Sequence, residues 1–289
     1  MDSRLVRLQG FEGIHLVADV WGDDDDWPVL LMHGGGQTRH AWGGTAEALA
    51  ASGWKAVSLD LRGHGDSEWA LNGDYSFRSY ANDCIAVCDQ LGRAPVLVGA
   101  SLGGITALLA EGGSDRRVAT GLVMVDITHR SNPAGIQRIQ EFMSSGLHGF
   151  ASLDEAADAI AAYTPHRPKR VNPAGLMKVL RLRNDGRWYW HWDPKFLASG
   201  RREAPSDDFQ VLFEAAVDRV RVPTLLVRGL LSDIVTEEGV RDFLAKVPGS
   251  KLVDVGGASH MVAGDRNDAF STAVIDFLEH DIRPALPGQ

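Results

Sequence analysis

Only two cysteines, Cys84 and Cys88, stand among 289 residues, so neither a disulfide framework nor a thiolate-rich metal site can organise this chain. Four apart in a helical stretch, they share one face without a redox or zinc-ligand pattern, and buried free thiols are expected. Basic charge is also short: 29 Lys and Arg against 38 Asp and Glu leave a net charge of −9. That balance argues against a nucleic-acid partner, whose phosphates require a basic face. No uninterrupted apolar run is long enough to span a bilayer, and the segment Met1 to Arg7 lacks the apolar core of a signal peptide, so a cytoplasmic protein with no membrane partner is expected. Internal repeats and low-complexity tracts are missing. The acidic run Asp23-Asp24-Asp25-Asp26 lacks the spaced ligands of a calcium loop and fits a solvated turn; no metal is expected.

What is present is a large apolar complement, 44% of residues, enough to bury a sizeable core without staples. Apolar strands and amphipathic helices alternate from Arg4 to Asp126, the pattern of an α/β fold with a mostly parallel central sheet flanked by helices. The strand rhythm stops from about Thr128 to Asp218, where helices are predicted at Gln137 to Met143, Leu153 to Tyr163 and Ala174 to Leu182. Strand and helix then resume at Val222 to Val227, Glu237 to Val247, Lys251 to Val255 and Asp268 to His280. Residues 1–127 and 219–289 are thus expected to form one α/β unit, with 128–218 a helical cap inserted into it.

The apolar run Pro95-Val96-Leu97-Val98 leads into Gly99-Ala100-Ser101-Leu102-Gly103, which reads as a strand delivering a serine onto a sharp turn into a helix. Glycines on both sides relieve crowding around a serine held in strained backbone geometry. The following helix aims its positive end at the position where an oxyanion would develop. A serine hydroxyl needs a base and an orienting carboxylate. Among ten histidines, His260 stands in the small-residue loop Gly256-Gly257-Ala258-Ser259-His260 directly after the strand Leu252 to Val255. The predicted carboxylate is Asp233, at the end of Arg228-Gly229-Leu230-Leu231-Ser232-Asp233; Asp126, ending the strand Leu122 to Val125, is the competitor. His33 and His64 are expected to be structural hydrogen-bonding groups.

His33-Gly34-Gly35-Gly36 follows the strand Val29 to Met32, and glycines there let backbone N–H groups approach a ligand. Gly35 N–H is expected to oppose the N–H of Leu102 as an oxyanion hole. The run lacks the lysine and spacing of a phosphate cradle.

Taken together, the His33-Gly34-Gly35 loop, Asp60-Leu61-Arg62-Gly63-His64-Gly65-Asp66-Ser67, the Ser101 elbow, the Arg228 to Asp233 loop and the His260 loop resemble the α/β-hydrolase superfamily, in the serine-nucleophile branch with a helical cap after the sixth strand. The resemblance spans most of the chain. It implies a Ser101, Asp233, His260 triad and acyl transfer to water through an acyl-enzyme, with no cofactor. Haloalkane dehalogenases and cap-bearing epoxide hydrolases place aspartate where this chain has Ser101, which disfavours an aspartyl-ester mechanism. The expected substrate is a small ester or lactone; perhydrolysis and carbon–carbon bond hydrolysis are alternatives using the same residues, and a non-catalytic small-molecule receptor is an alternative of another class. In the cap segment, Trp188, Trp190 and Trp192 alternate and would share a face if extended, either lining a substrate pocket or forming cap core.

Overall fold

The computed structural model describes residues 2–164, 172–199, 206–260 and 267–287. Runs of β-branched and aliphatic residues form the strands β1 (Arg4–Gln9), β2 (His15–Trp21), β3 (Trp27–Met32), β4 (Trp54–Leu59), β5 (Val96–Ala100), β6 (Gly121–Val125), β7 (Leu180–Leu182), β8 (Trp188–Trp190), β9 (Thr224–Gly229) and β10 (Lys251–Val255). The helices are α1 (Gly43–Ala51), α2 (Phe77–Gln90), α3 (Leu102–Gly112), α4 (Pro133–Ser145), α5 (Leu153–Tyr163), α6 (Lys195–Ser199), α7 (Ser206–Val217), α8 (Glu237–Lys246) and α9 (Ser271–Phe277).

Eight strands make one sheet in the order β1-β2-β4-β3-β5-β6-β9-β10. The pairs β1–β2 and β2–β4 are antiparallel and those from β4 across to β10 are parallel. The central strands are apolar on both faces because helices cover both. Leu30, Met32, Leu97, Leu122 and Met124 enter one core with α2, α3 and α8. Their neighbours Val29, Leu31, Val96, Val98, Val123 and Val125 enter the other with α1 and α9. Period-two alternation thus sorts adjacent residues into opposite layers. Helix α3 is buried along its whole length, which explains why it carries no polar stripe. Cys84 and Cys88 are free and buried on α2.

The insertion leaves after β6 and builds its own core from Phe142, Met143, Phe150, Ile160, Leu176, Trp190 and Trp192. Helix α5 spans Leu153–Tyr163, as predicted, with Ser152 capping it through Glu155 N–H. The predicted helix from Ala174 to Leu182 is replaced by a tight 3-10 turn over Pro173–Lys178 and the strand β7. The reason is tertiary: Leu180 and Leu182 pair with Trp190 and Trp188 of β8, and an aromatic cross-strand partner outweighs the helical preference of leucine. Helix α7, although inside 128–218, adds Ala216 and Val217 to the core around α3.

Candidate active site

Strand β5 ends at Ala100, and the chain turns at Ser101 with φ 48 and ψ −113, a left-handed conformation that a serine adopts only when its surroundings enforce it. The enforcement comes from close packing around Gly99 and Gly103. A Cβ on Gly99 would stand 2.1 Å from the carbonyl oxygen of Gly103, and one on Gly103 would stand 2.4 Å from that of Met32. The next strand repeats the device: β6 ends and Asp126 follows with φ 51. Ser101 N–H donates to Val125 O at 3.1 Å and Asp126 N–H to Val227 O at 2.7 Å, so sheet bonding continues through both turns.

His260 joins the two. Its Nε2 lies 3.2 Å from Ser101 Oγ, and its Nδ1 lies 2.7 Å from Asp126 Oδ2. The other carboxylate oxygen of Asp126 accepts from Gly229 N–H at 3.0 Å. The arrangement requires Nδ1–H to donate to Asp126, leaving the Nε2 lone pair for the serine proton.

Asp233, predicted as the partner of His260, is placed elsewhere: its carboxylate is 2.8 Å from Nη2 of Arg138 on α4. Backbone packing holds it there, since Asn132 N–H donates to Ile234 O and a Cβ on Gly135 would come within 2.7 Å of Asp233 O. The carboxylate on His260 is therefore Asp126. Its strand adjoins that of Ser101 in the sheet, whereas β9 lies one strand further away.

The glycine loop after β3 faces the serine; a Cβ on Gly34 would stand 3.5 Å from Ser101 Cβ. Gly34 N–H donates to Gln37 Oε1 at 2.9 Å and Gly36 N–H to His64 Nε2 at 3.2 Å. Among the described residues, the N–H groups of Gly35 and Leu102 have no acceptor. His33 Nδ1–H donates to Gly34 O at 2.8 Å while its Nε2 accepts from Leu61 N–H at 3.1 Å. Because a trans peptide sets its C=O and N–H antiparallel, holding Gly34 O aims Gly35 N–H the opposite way. Burial pushes the His33 imidazole down to about 4 and that of His64 to about 3, so both are neutral acceptors near pH 7. Arg39 anchors the loop's far end, its Nη1 reaching Asp60 at 2.5 Å and Asp66 at 2.8 Å.

The tryptophan stripe is core in this structure. Trp190 and Trp192 are buried among Phe142, Phe150 and Ile160, and half-buried Trp188 packs against that cluster. Trp190 meets Phe142 and Phe150 edge-on. The insertion brings a different aromatic to the glycine loop: Cζ of Phe196, on α6, would be 3.3 Å from a Cβ on Gly35. Nothing in the sequence around Phe196 marks it.

His129, Glu214 and Asp242 bring possible ligand atoms within 4.8 Å of one another. Arg130 and Lys246 already neutralise these carboxylates. His129 Nδ1 is buried without a partner, whereas a metal-bound imidazole is anchored through its second nitrogen. The cluster fits an ion-pair knot joining the exit of β6 to α7 and α8.

Residues 28–266 match the family described as alpha/beta hydrolase fold, and the chain belongs to that family. It is a hydrolase, with esterases among its relatives. It is 31% identical over 265 residues to esterase Rv0045c of Mycobacterium tuberculosis, covering 87% of this chain and 82% of that protein. It is 26% identical to the 3-hydroxybutyrate-oligomer hydrolase of Cupriavidus necator, over 86% of this chain and 89% of that one. An alpha/beta hydrolase structure from Novosphingobium aromaticivorans shares the fold with a TM-score of 0.77 at 24% identity, over 96% of this chain and 99% of that one. No helix among the described residues is long and apolar enough to cross a membrane.

Proposed function

We propose that the protein is a serine esterase that cleaves a carboxylic ester of a small organic molecule through an acyl-enzyme, with residues 128–218 as its cap. The observation that carries this reading is the unbroken line from Ser101 Oγ through His260 to Asp126, at 3.2 and 2.7 Å. Ser101 Oγ attacks the ester carbonyl carbon as His260 Nε2 takes its proton, and Asp126 holds the ring and balances the imidazolium. The carbonyl oxygen becomes an oxyanion facing Gly35 and Leu102 N–H, donors typically worth about 2.7–4 kcal/mol each. His260 returns the proton to the leaving alkoxide, and water enters by the reverse sequence to release the acid. These steps need no cofactor. Esterase activity in the relatives supports the same reaction class.

The test pairs covalent labelling with turnover. A fluorophosphonate should lose fluoride and form a phosphorus–oxygen bond to Ser101, and an ester panel varied in acyl length should be hydrolysed by the native chain. Ser101→Ala should abolish both while melting at or above the native temperature. Full turnover by that variant would end the reading.

A further inference from the structure

We infer that His64 is a positioning residue for the oxyanion loop, carrying the seating of the insertion on the α/β unit through to the backbone beside Gly35. This rests on the esterase reading above, because it concerns the donors proposed to hold the oxyanion.

Three observations converge on this side chain. His64 is fully buried, yet both ring nitrogens are engaged. Nδ1 lies 3.0 Å from Arg62 O, which can only accept, so the proton sits on Nδ1 and the Nε2 lone pair accepts from Gly36 N–H. The backbone on either side of His64 is then clamped by the insertion: Gly65 N–H donates to His191 O and Asp193 N–H donates to Gly63 O, both at 2.8 Å. Tyr75 Oη–H reinforces this clamp by donating to Asp193 Oδ2 at 2.6 Å. Finally, Phe196 of the insertion meets the imidazole edge-on, with centroids 4.9 Å apart, and the same ring stands over Gly35. The insertion thus holds the backbone of His64 and packs against its ring, and the ring's unprotonated Nε2 holds Gly36.

The functional consequence follows from where the loop's other ties fall. Gln37 fixes Gly34 N–H and His64 fixes Gly36 N–H, so the glycine with the free donor lies between two anchored neighbours. Releasing the Gly36 anchor leaves the Gly35 donor present but poorly aimed. Such a change weakens binding of the oxyanion far more than binding of the ground-state ester.

The experiment compares His64→Leu, which keeps bulk and removes the acceptor, with His64→Gln, whose Oε1 can restore one. His64→Leu should lower kcat by about 10²-fold, the scale of a small misplacement of a catalytic group, with KM little changed. The Ki of a trifluoromethyl ketone, which binds as a hemiketal oxyanion, should rise by the same factor, and His64→Gln should recover most of both losses. A loss carried by KM, an unchanged ketone Ki, or equal defects in the two variants would overturn the assignment. A measurement on the unmutated chain stands apart from activity and from any folding defect. Imidazole ¹⁵N spectra should show His64 protonated at Nδ1 and accepting at Nε2; a proton on Nε2 would refute the Gly36 bond. Failure of the esterase reading would show differently, as absent fluorophosphonate labelling with the His64 tautomer intact.

Discussion

Asp126 and His260 meet at 2.7 Å between Oδ2 and Nδ1, with their side chains 2% and 4% exposed. In so dry a pair, replacing the carboxylate by an amide removes the charge, and because Gly229 N–H holds the amide oxygen, it turns an NH2 donor toward Nδ1 and selects the wrong imidazole tautomer. Asp126→Asn should therefore lower kcat by roughly 10⁴-fold, the scale seen when a triad acid loses its charge. Asp233→Asn breaks a half-exposed pair with Arg138, of a kind worth about 0–1 kcal/mol, and should change kcat by less than about tenfold. Steady-state kinetics on one ester decides between them, and a reversed order would return the acid's role to Asp233.

The turn at Ser101 depends on the absence of two methyl groups. Gly103→Ala would drive a Cβ to 2.4 Å from the backbone of β3, where no flexible side-chain end can yield. Its cost should reach or exceed the roughly 1–3 kcal/mol of ordinary overpacking, read as a lowered urea midpoint. A variant as stable as the native chain would show that β3 and α3 can separate freely.

The insertion separates packing from selection. Trp190→Ala should lower stability by about 3–5 kcal/mol, typical of a large buried aromatic, and leave the ranking of acyl chain lengths unchanged. Phe196→Ala should do the opposite, altering that ranking with a smaller thermal effect, because its ring reaches the glycine loop. Melting curves beside a substrate panel distinguish the two; a shifted ranking in Trp190→Ala would restore the stripe as a pocket wall.

Acid should weaken the fold early. His33 and His64 sit well below the ordinary imidazole value when folded, at about 4 and about 3, but regain it on unfolding. The unfolded chain then binds protons that the folded chain refuses, so their contribution is full above about pH 6.5 and is lost as pH falls toward these folded values. Urea midpoints should drop between pH 7 and pH 5. His64→Gln should flatten that slope by close to one proton, roughly 1.4 kcal/mol per pH unit. Parallel slopes in the two proteins would contradict the assignment.

Ser101, His260 and the glycine loop could be read from sequence because each follows an apolar strand with unmistakable small residues around it. The acid could not be chosen that way, since Asp126 and Asp233 both follow strands. What separates them is which strand neighbours β5 and which side chain Arg138 draws off, relations between residues over a hundred positions apart. The tryptophans expose a second limit. Alternation implied that Trp188, Trp190 and Trp192 would share a face if extended, and β8 spans the first two, but a two-residue period does not say whether that face meets a pocket or a core. Phe196 has no pattern at all; its place is a product of how the insertion docks.

Ala100 and Val125 are partners in the register of β5 and β6, and each is followed by a residue in left-handed geometry. Ser101 and Asp126 consequently stand side by side at the ends of neighbouring strands, and their separation is set by the spacing of those strands rather than by any loop. A spacing of that origin is inherited with the sheet. Insertions of other lengths and shapes could be exchanged between β6 and β9 without retuning it, leaving substrate range free to diverge while the reacting centre stays constant.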